Sequence, residues 1–193
     1  MRAISQLLYA GIIPARYASS RFPGKPLAMI GNKPMIQRVF EQASKSLKLV
    51  YVATDDERIR SAVLEFGGRA VMTSDSHQSG TDRCAEAARL IEGETKMKID
   101  VVINIQGDEP FIHPEQIKKV AALLTFNNSP IATLAKMISR QEDVFDPNVV
   151  KVVFNQEGEA LYFSRSPLPF LRGTAENQWV EKKAHFKHIG IYG

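Results

Sequence analysis

The sequence predicts an α/β fold built around a mainly parallel sheet, and three observations carry that expectation. Short apolar runs alternate with segments of helical period, the sign of βαβ units. Several runs are continuously apolar, which suits strands covered on both faces. Polar segments rich in Gly, Pro and charge follow three of the runs directly, where the carboxyl-edge loops of such a sheet would lie.

Leu7 to Ala15 is the first expected strand. From Pro34 to about Ser46, Met35, Ile36, Val39, Phe40 and Ala43 recur at helical spacing, with Pro34 suited to the first helical position. Lys48 to Thr54 is a strand, Asp56 to Phe66 a helix stopped by Gly67, and Arg69 to Thr73 a short strand. Thr81 to about Ile91 reads as a helix, with Cys84 a small buried residue on its apolar face. Asp100 to Gln106 is a nearly all-apolar strand, hence central; Pro114 to about Phe126 is a helix and Pro130 to Lys136 a strand. The rhythm then changes. Val149 to Asn155 and Ala160 to Arg165 read as strands joined by the hairpin signal Gln156-Glu157-Gly158. A polar, proline-containing segment from Ser166 to Lys183 leads into a last strand, Phe186 to Gly193, where the sequence stops as if truncated. The expected organisation is one domain, with a nucleotide-binding core over residues 1–145 and a β segment over 146–193.

The chain has 193 residues, 44% hydrophobic and 24% charged, with a net charge of +4, as for an ordinary globular protein. No run approaches the roughly 20 apolar residues of a membrane helix. Ser5, Gln6 and Tyr9 interrupt the N-terminal apolar stretch, which argues against a signal peptide and for a cytoplasmic protein. The single cysteine excludes an internal disulfide. Scattered basic residues without interleaved aromatics argue against nucleic acid as a partner. His185 and His188 fall on opposite faces of a strand, so they do not form a zinc pair.

Topology should gather the three polar loops. The first, after the opening strand, carries Arg16, Arg21 and Lys25 between prolines and Gly24. Fixed cations of this kind stabilise the charge that builds on a triphosphate and its leaving pyrophosphate. The loop is neither GxGxxG nor a P-loop. The second, Ala53-Thr54-Asp55-Asp56, suits base or ribose contact, although capping of the next helix accounts for Asp56 equally well. The third, Gln106-Gly107-Asp108-Glu109-Pro110, sets two acids side by side at the sheet edge, where a cation or basic partner must neutralise them. Mg²⁺ takes one or two carboxylates plus phosphate oxygens and water, and Asp108, nearer the strand, is the better ligand.

The segments GIIPARYASSRFPGKPL, VATDD, HQSGTDR, NIQGDEPFI, PNVVKVVFN, ALYFSRSPLP and HIGIYG, in this order and over nearly the whole chain, resemble the 3-deoxy-manno-octulosonate cytidylyltransferases. The resemblance implies a Rossmann-like, three-layer nucleotide-diphospho-sugar transferase fold with a small β excursion for sugar binding and dimerisation. It implies transfer of CMP from CTP to 3-deoxy-manno-octulosonate (Kdo), with Mg²⁺, in a homodimer that serves lipopolysaccharide synthesis. By the same likeness Arg16, Arg21 and Lys25 hold the triphosphate. Ala53, Thr54, Asp55, Ser79 and Gly80 shape the cytosine and ribose pocket, and Gln106 touches nucleotide or sugar. Asp108 binds the metal, and Arg165 and His188 face Kdo. Members of that family continue past the point where this sequence stops, and a second metal carboxylate is expected there. Other readings are a cytidylyltransferase for sialate or a related keto-sugar acid, and an inactive nucleotide-binding fragment.

Overall fold

A computed structural model describes residues 7–18, 22–126 and 129–193. The chain forms two compact units, residues up to 132 together with 191–193, and residues 133–190. The boundary falls at 132/133 rather than at 145/146, because Ile138 and Val144 pack with Trp179 in a small core of the second unit.

In the first unit the order is β1 (Tyr9–Ala15), β2 (Met29–Ile30), β3 (Lys33–Pro34), α1 (Met35–Ser44), β4 (Leu49–Thr54), α2 (Glu57–Glu65), β5 (Ala70–Met72), α3 (Gly80–Thr95), β6 (Val101–Asn104) and α4 (Pro114–Phe126). Strands β5, β4, β1 and β6 lie side by side in that order, all parallel. The parallel sheet expected from the continuous apolar runs is therefore present, and every residue of β4 is buried. Ala10, Ile12, Leu49, Tyr51 and Ala53 pack with Cys84, Ala87 and Ile91 of α3 in one core cluster. Burial pushes the Cys84 thiol up to about 12, so the thiol is inert and purely a packing group.

Caps explain where the helices begin and end. Asp56 Oδ1 accepts the Arg58 backbone N–H at 2.9 Å and starts α2. After α2 the chain turns through Gly67 at φ +78°, and Gly68 N–H donates to Val63 O at 2.8 Å. Ser79 Oγ accepts the Asp82 N–H at 3.1 Å and starts α3. Pro34 does not take the first helical position. It is extended, pairs with Met29 in the β2–β3 ribbon, and precedes α1.

The second unit holds β7 (Thr133–Met137), the short helix α5 (Gln141–Phe145), β8 (Lys151–Phe154), β9 (Ala160–Ser164) and β10 (Phe186–Tyr192), whose last residues return to the first unit. β8 and β9 form the expected hairpin, turned through Gly158 at φ +83°. β10 pairs antiparallel with β8, Phe186 opposite Val152. The five-residue α5 was not legible from periodicity. Asp143 on it accepts from Arg140 Nη2 at 2.5 Å and Lys187 Nζ at 2.8 Å, and these two cations, Lys187 first, hold its carboxyl below the usual range.

Candidate active site

Strand order reverses beside β1: β4 and β5 lie on one side of it and β6 on the other. In an open parallel sheet that reversal leaves a crevice at the carboxyl ends of the strands. The loop after β1 and the turn after β6 meet there. Arg16, Lys25, Gln106 and Asp108, with Pro14 and Gly107, line a cavity of about 200 Å³. That is smaller than the ~300–1,000 Å³ of a pocket that engulfs a whole organic ligand, so it fits the phosphate part of a nucleotide.

Close backbone approach makes the crevice narrow. A Cβ at Gly107 would sit 2.9 Å from Pro14 O, so a side chain there would push the two strand ends apart. The basic loop is shaped by Gly24, which adopts φ +72° and donates to Tyr17 O at 2.8 Å. The Tyr17 ring carries the Arg58 guanidinium 3.3 Å from its centroid, and Arg58 pairs with Asp56 at 2.6 Å. The loop is thereby tied to the start of α2.

Across the crevice Lys25 Nζ donates to Asp108 Oδ2 at 2.6 Å. Both side chains are well exposed, at 39% and 51%, so the pair is worth at most about 1 kcal/mol and is easily exchanged for a ligand. Arg16 Nη2 is buried with no hydrogen-bond partner among the described residues. A buried unpaired guanidinium N–H costs about 1–3 kcal/mol, which an incoming phosphate oxygen would recover. Desolvation raises the Glu109 pKa, and the neighbouring Asp108 adds to this while Lys25 opposes it. Of the two acids it is Asp108 that faces the cation. Arg21 lies outside the described residues.

The second loop is organised around a residue that the sequence reading passed over. Arg83 of α3 is fully buried. Its Nη2 donates to Asp55 Oδ2 at 2.5 Å and its Nη1 to Thr73 Oγ1 at 2.6 Å, so it ties the ends of β4 and β5 to α3. The signal was available: Arg83, Ala87 and Ile91 are spaced four apart, which sets the arginine on the apolar stripe. Asp55 thus has an internal partner. Asp56 is the helix cap that the sequence left as one of two options. Ala53 is buried in the core, and Thr54 Oγ1 accepts the Asp56 N–H at 3.2 Å. Ser79 caps α3, and a Cβ on Gly80 would lie 3.3 Å from Pro14 Cγ, so this helix start abuts the strand end that leads into the basic loop.

In the second unit Arg165 Nη1 donates to Pro147 O at 2.7 Å. His188 Nε2 lies 2.7 Å from Thr133 Oγ1, with the Phe163 ring edge-on at 5.0 Å, and burial holds its pKa down. Among the described residues no three His, Cys, Asp or Glu side chains gather into a ready-made metal cage. A cation at Asp108 would draw its remaining oxygens from ligand and water, a donor set that fits Mg²⁺.

Comparison with known proteins gives the family. A family model described as Cytidylyltransferase matches residues 10–193. A 3-deoxy-manno-octulosonate cytidylyltransferase of Parabacteroides distasonis is 55% identical over 188 residues, covering 95% of this chain and 73% of the relative. That of Thermodesulfovibrio yellowstonii is 53% identical over 186 residues, 94% of this chain and 73% of the relative. A solved structure of CMP:2-keto-3-deoxy-manno-octonic acid synthetase complexed with CTP matches with a TM-score of 0.80 at 45% identity, over 96% of this chain and 73% of that one. The chain belongs to the cytidylyltransferase family, among its 3-deoxy-manno-octulosonate cytidylyltransferases.

Proposed function

We infer that this chain transfers CMP from CTP to Kdo and releases pyrophosphate. The observation that carries the reading is the meeting of Lys25 and Asp108 at 2.6 Å in a cavity that Arg16 also lines, its buried Nη2 without a hydrogen-bond partner among the described residues. A cation, a carboxylate and a guanidinium along one small crevice suit a polyphosphate better than any neutral ligand.

In this reading the anomeric hydroxyl of Kdo attacks the α-phosphorus of CTP. A new O–P bond forms, the bond to pyrophosphate breaks in line with it, and the hydroxyl proton leaves to solvent. No covalent enzyme intermediate is needed, and positioning with charge stabilisation carries the rate. Lys25 gives up Asp108 for the leaving phosphates, and Arg16 fills its empty donor with a phosphate oxygen. Arg21 would add a further cation to the same group. Asp108 would hold Mg²⁺, which when bound neutralises phosphate charge and polarises the phosphoryl group. Thr54, Asp55, Ser79 and Gly80 would contact base and ribose in this reading, with Ala53 acting through its backbone. Gln106 addresses nucleotide or sugar, and Arg165 and His188 address the Kdo carboxylate and hydroxyls.

The product of this reaction would feed lipopolysaccharide assembly, and the chain would act as a cytoplasmic homodimer. Supporting that, no helix among the described residues is long and apolar enough to cross a membrane, and Cys84 is an unpaired thiol. Leu161 and Tyr162 on β9 are 66% and 62% exposed, an apolar strand surface that a second copy would cover.

Replacing Asp108 by Asn tests the reading. We expect pyrophosphate release from CTP and Kdo to fall by about a hundredfold or more while the circular dichroism spectrum is unchanged. Undiminished turnover in Asp108→Asn would remove the acid from the metal role, and faster release with sialate than with Kdo in the parent protein would reassign the acceptor.

A further inference from the structure

Gln106 enters the cavity at the end of a run of side-chain hydrogen bonds that none of the roles above explains. Its Nε2 donates to Asn104 Oδ1 at 3.2 Å. Asn104 Nδ2 donates to Tyr192 Oη at 2.9 Å, and Tyr192 Oη lies 2.9 Å from Thr81 Oγ1 at the start of α3. Asn104 is almost completely buried, so its amide depends on these partners. The tyrosine oxygen accepts from Asn104, which leaves its own proton available to Thr81, so all three bonds of the run can point the same way.

This direction decides what Gln106 offers a ligand. With one Nε2 hydrogen committed to Asn104, the amide is held in one orientation, which fixes where its acceptor Oε1 and its second N–H meet the cavity. Turning Gln106 alone would set its oxygen against Asn104 Oδ1, two acceptors without a proton between them. The amide can turn only if the whole run turns with it.

We propose that Tyr192 is a positioning residue for the transfer reaction: through Asn104 it holds the Gln106 amide so that Oε1 accepts a hydrogen bond from a hydroxyl or amino group of the bound substrate. The proposal rests on the cytidylyl-transfer reading of the cavity. Tyr192 does not itself touch the reacting atoms in this account. It fixes which end of the amide the substrate meets.

Tyr192→Phe removes the phenol oxygen and keeps the ring. Steady-state constants for CTP and for Kdo are measured in the parent protein, Tyr192→Phe, Gln106→Ala and the double variant. We expect Tyr192→Phe to lower kcat/KM by about three- to tenfold, the cost of one misdirected hydrogen bond. In the Gln106→Ala background the same change should cost less than about twofold, since the two residues act as a unit. A KM shift for CTP alone identifies a nucleotide donor, and a shift for Kdo alone a sugar hydroxyl. An equal loss in both backgrounds would overturn the proposal, as would a loss below about twofold in the parent. A second measurement needs no turnover. The side-chain amide ¹⁵N resonances of Asn104 and Gln106 should both move in Tyr192→Phe without substrate present. An unmoved Gln106 resonance overturns the relay, whereas a parent protein that releases no pyrophosphate overturns the transfer reading alone.

Discussion

The two units bury their apolar residues to very different degrees. In the first, β4 is buried throughout, and Ile12, Ile13, Val50 and Val52 are almost wholly removed from water between the helices. In the second, three of the five β9 residues are large hydrophobics left open, and the core gathers around one tryptophan. Trp179 stacks on His185 at 5.2 Å, meets Phe170 edge-on at 5.4 Å, and donates from Nε1 to Thr174 O at 3.1 Å. A sheet covered on both faces can hold exposed charges at its edge without depending on them. A small hairpin unit instead depends on a few large contacts. The candidate phosphate site sits in the first kind of region, and the residues assigned to Kdo sit in the second.

The largest test of that contrast is Trp179→Ala. It should cost about 3–5 kcal/mol, read as an early unfolding step of the second unit in denaturant followed by tryptophan-independent far-UV signal. A single transition at the parent midpoint would show that the tryptophan is not the centre of that core. Next, Lys25→Ala should lower kcat/KM for CTP by about a hundredfold, or about 3 kcal/mol, since in the proposed reaction this cation offsets phosphate charge. Its melting temperature should hold, since the pair with Asp108 is exposed. A selective loss of Kdo affinity instead would move Lys25 to the sugar. The smallest effect is expected for Leu161→Ser, within about 0.5 kcal/mol of parent stability, as for a surface position. Analytical ultracentrifugation should nevertheless show weaker self-association, and unchanged association would mean that β9 is not the covered surface.

The parts of the fold legible in the sequence were those governed by long-range burial. Continuous runs such as Leu49–Thr54 and periodic ones such as Met35–Ser44 appear where expected, with ends displaced by a residue or two. α3 is extended to Thr95, beyond the expected end near Ile91, and closes through Lys96 at φ +59°. What could not be read were elements set by tertiary partners. α5 is too short to show a period, and its charge network draws on Lys187, far along the chain. The same division holds at the site. That the loop bearing Lys25 faces the turn bearing Asp108 follows from strand order and charge alone. The inward turn of Arg83 and the reach of Tyr192 to Asn104 depend on side-chain partners distant in sequence. Arginine is so often solvated that its place on an apolar stripe was easily passed over.

The Arg83–Asp55 contact also limits how this sequence can vary. The guanidinium is sealed inside the protein, and losing Asp55, its anionic partner among the described residues, would strand a positive charge there, at about 3–5 kcal/mol. Neither position can drift alone. A lineage that replaces the aspartate must replace the arginine in nearly the same step, preferably with an uncharged pair of similar bulk, so the two sites should be inherited as one unit. For the same reason, an inactive Asp55 variant reports first on a destabilised interior and only second on any contact that the carboxylate makes with nucleotide.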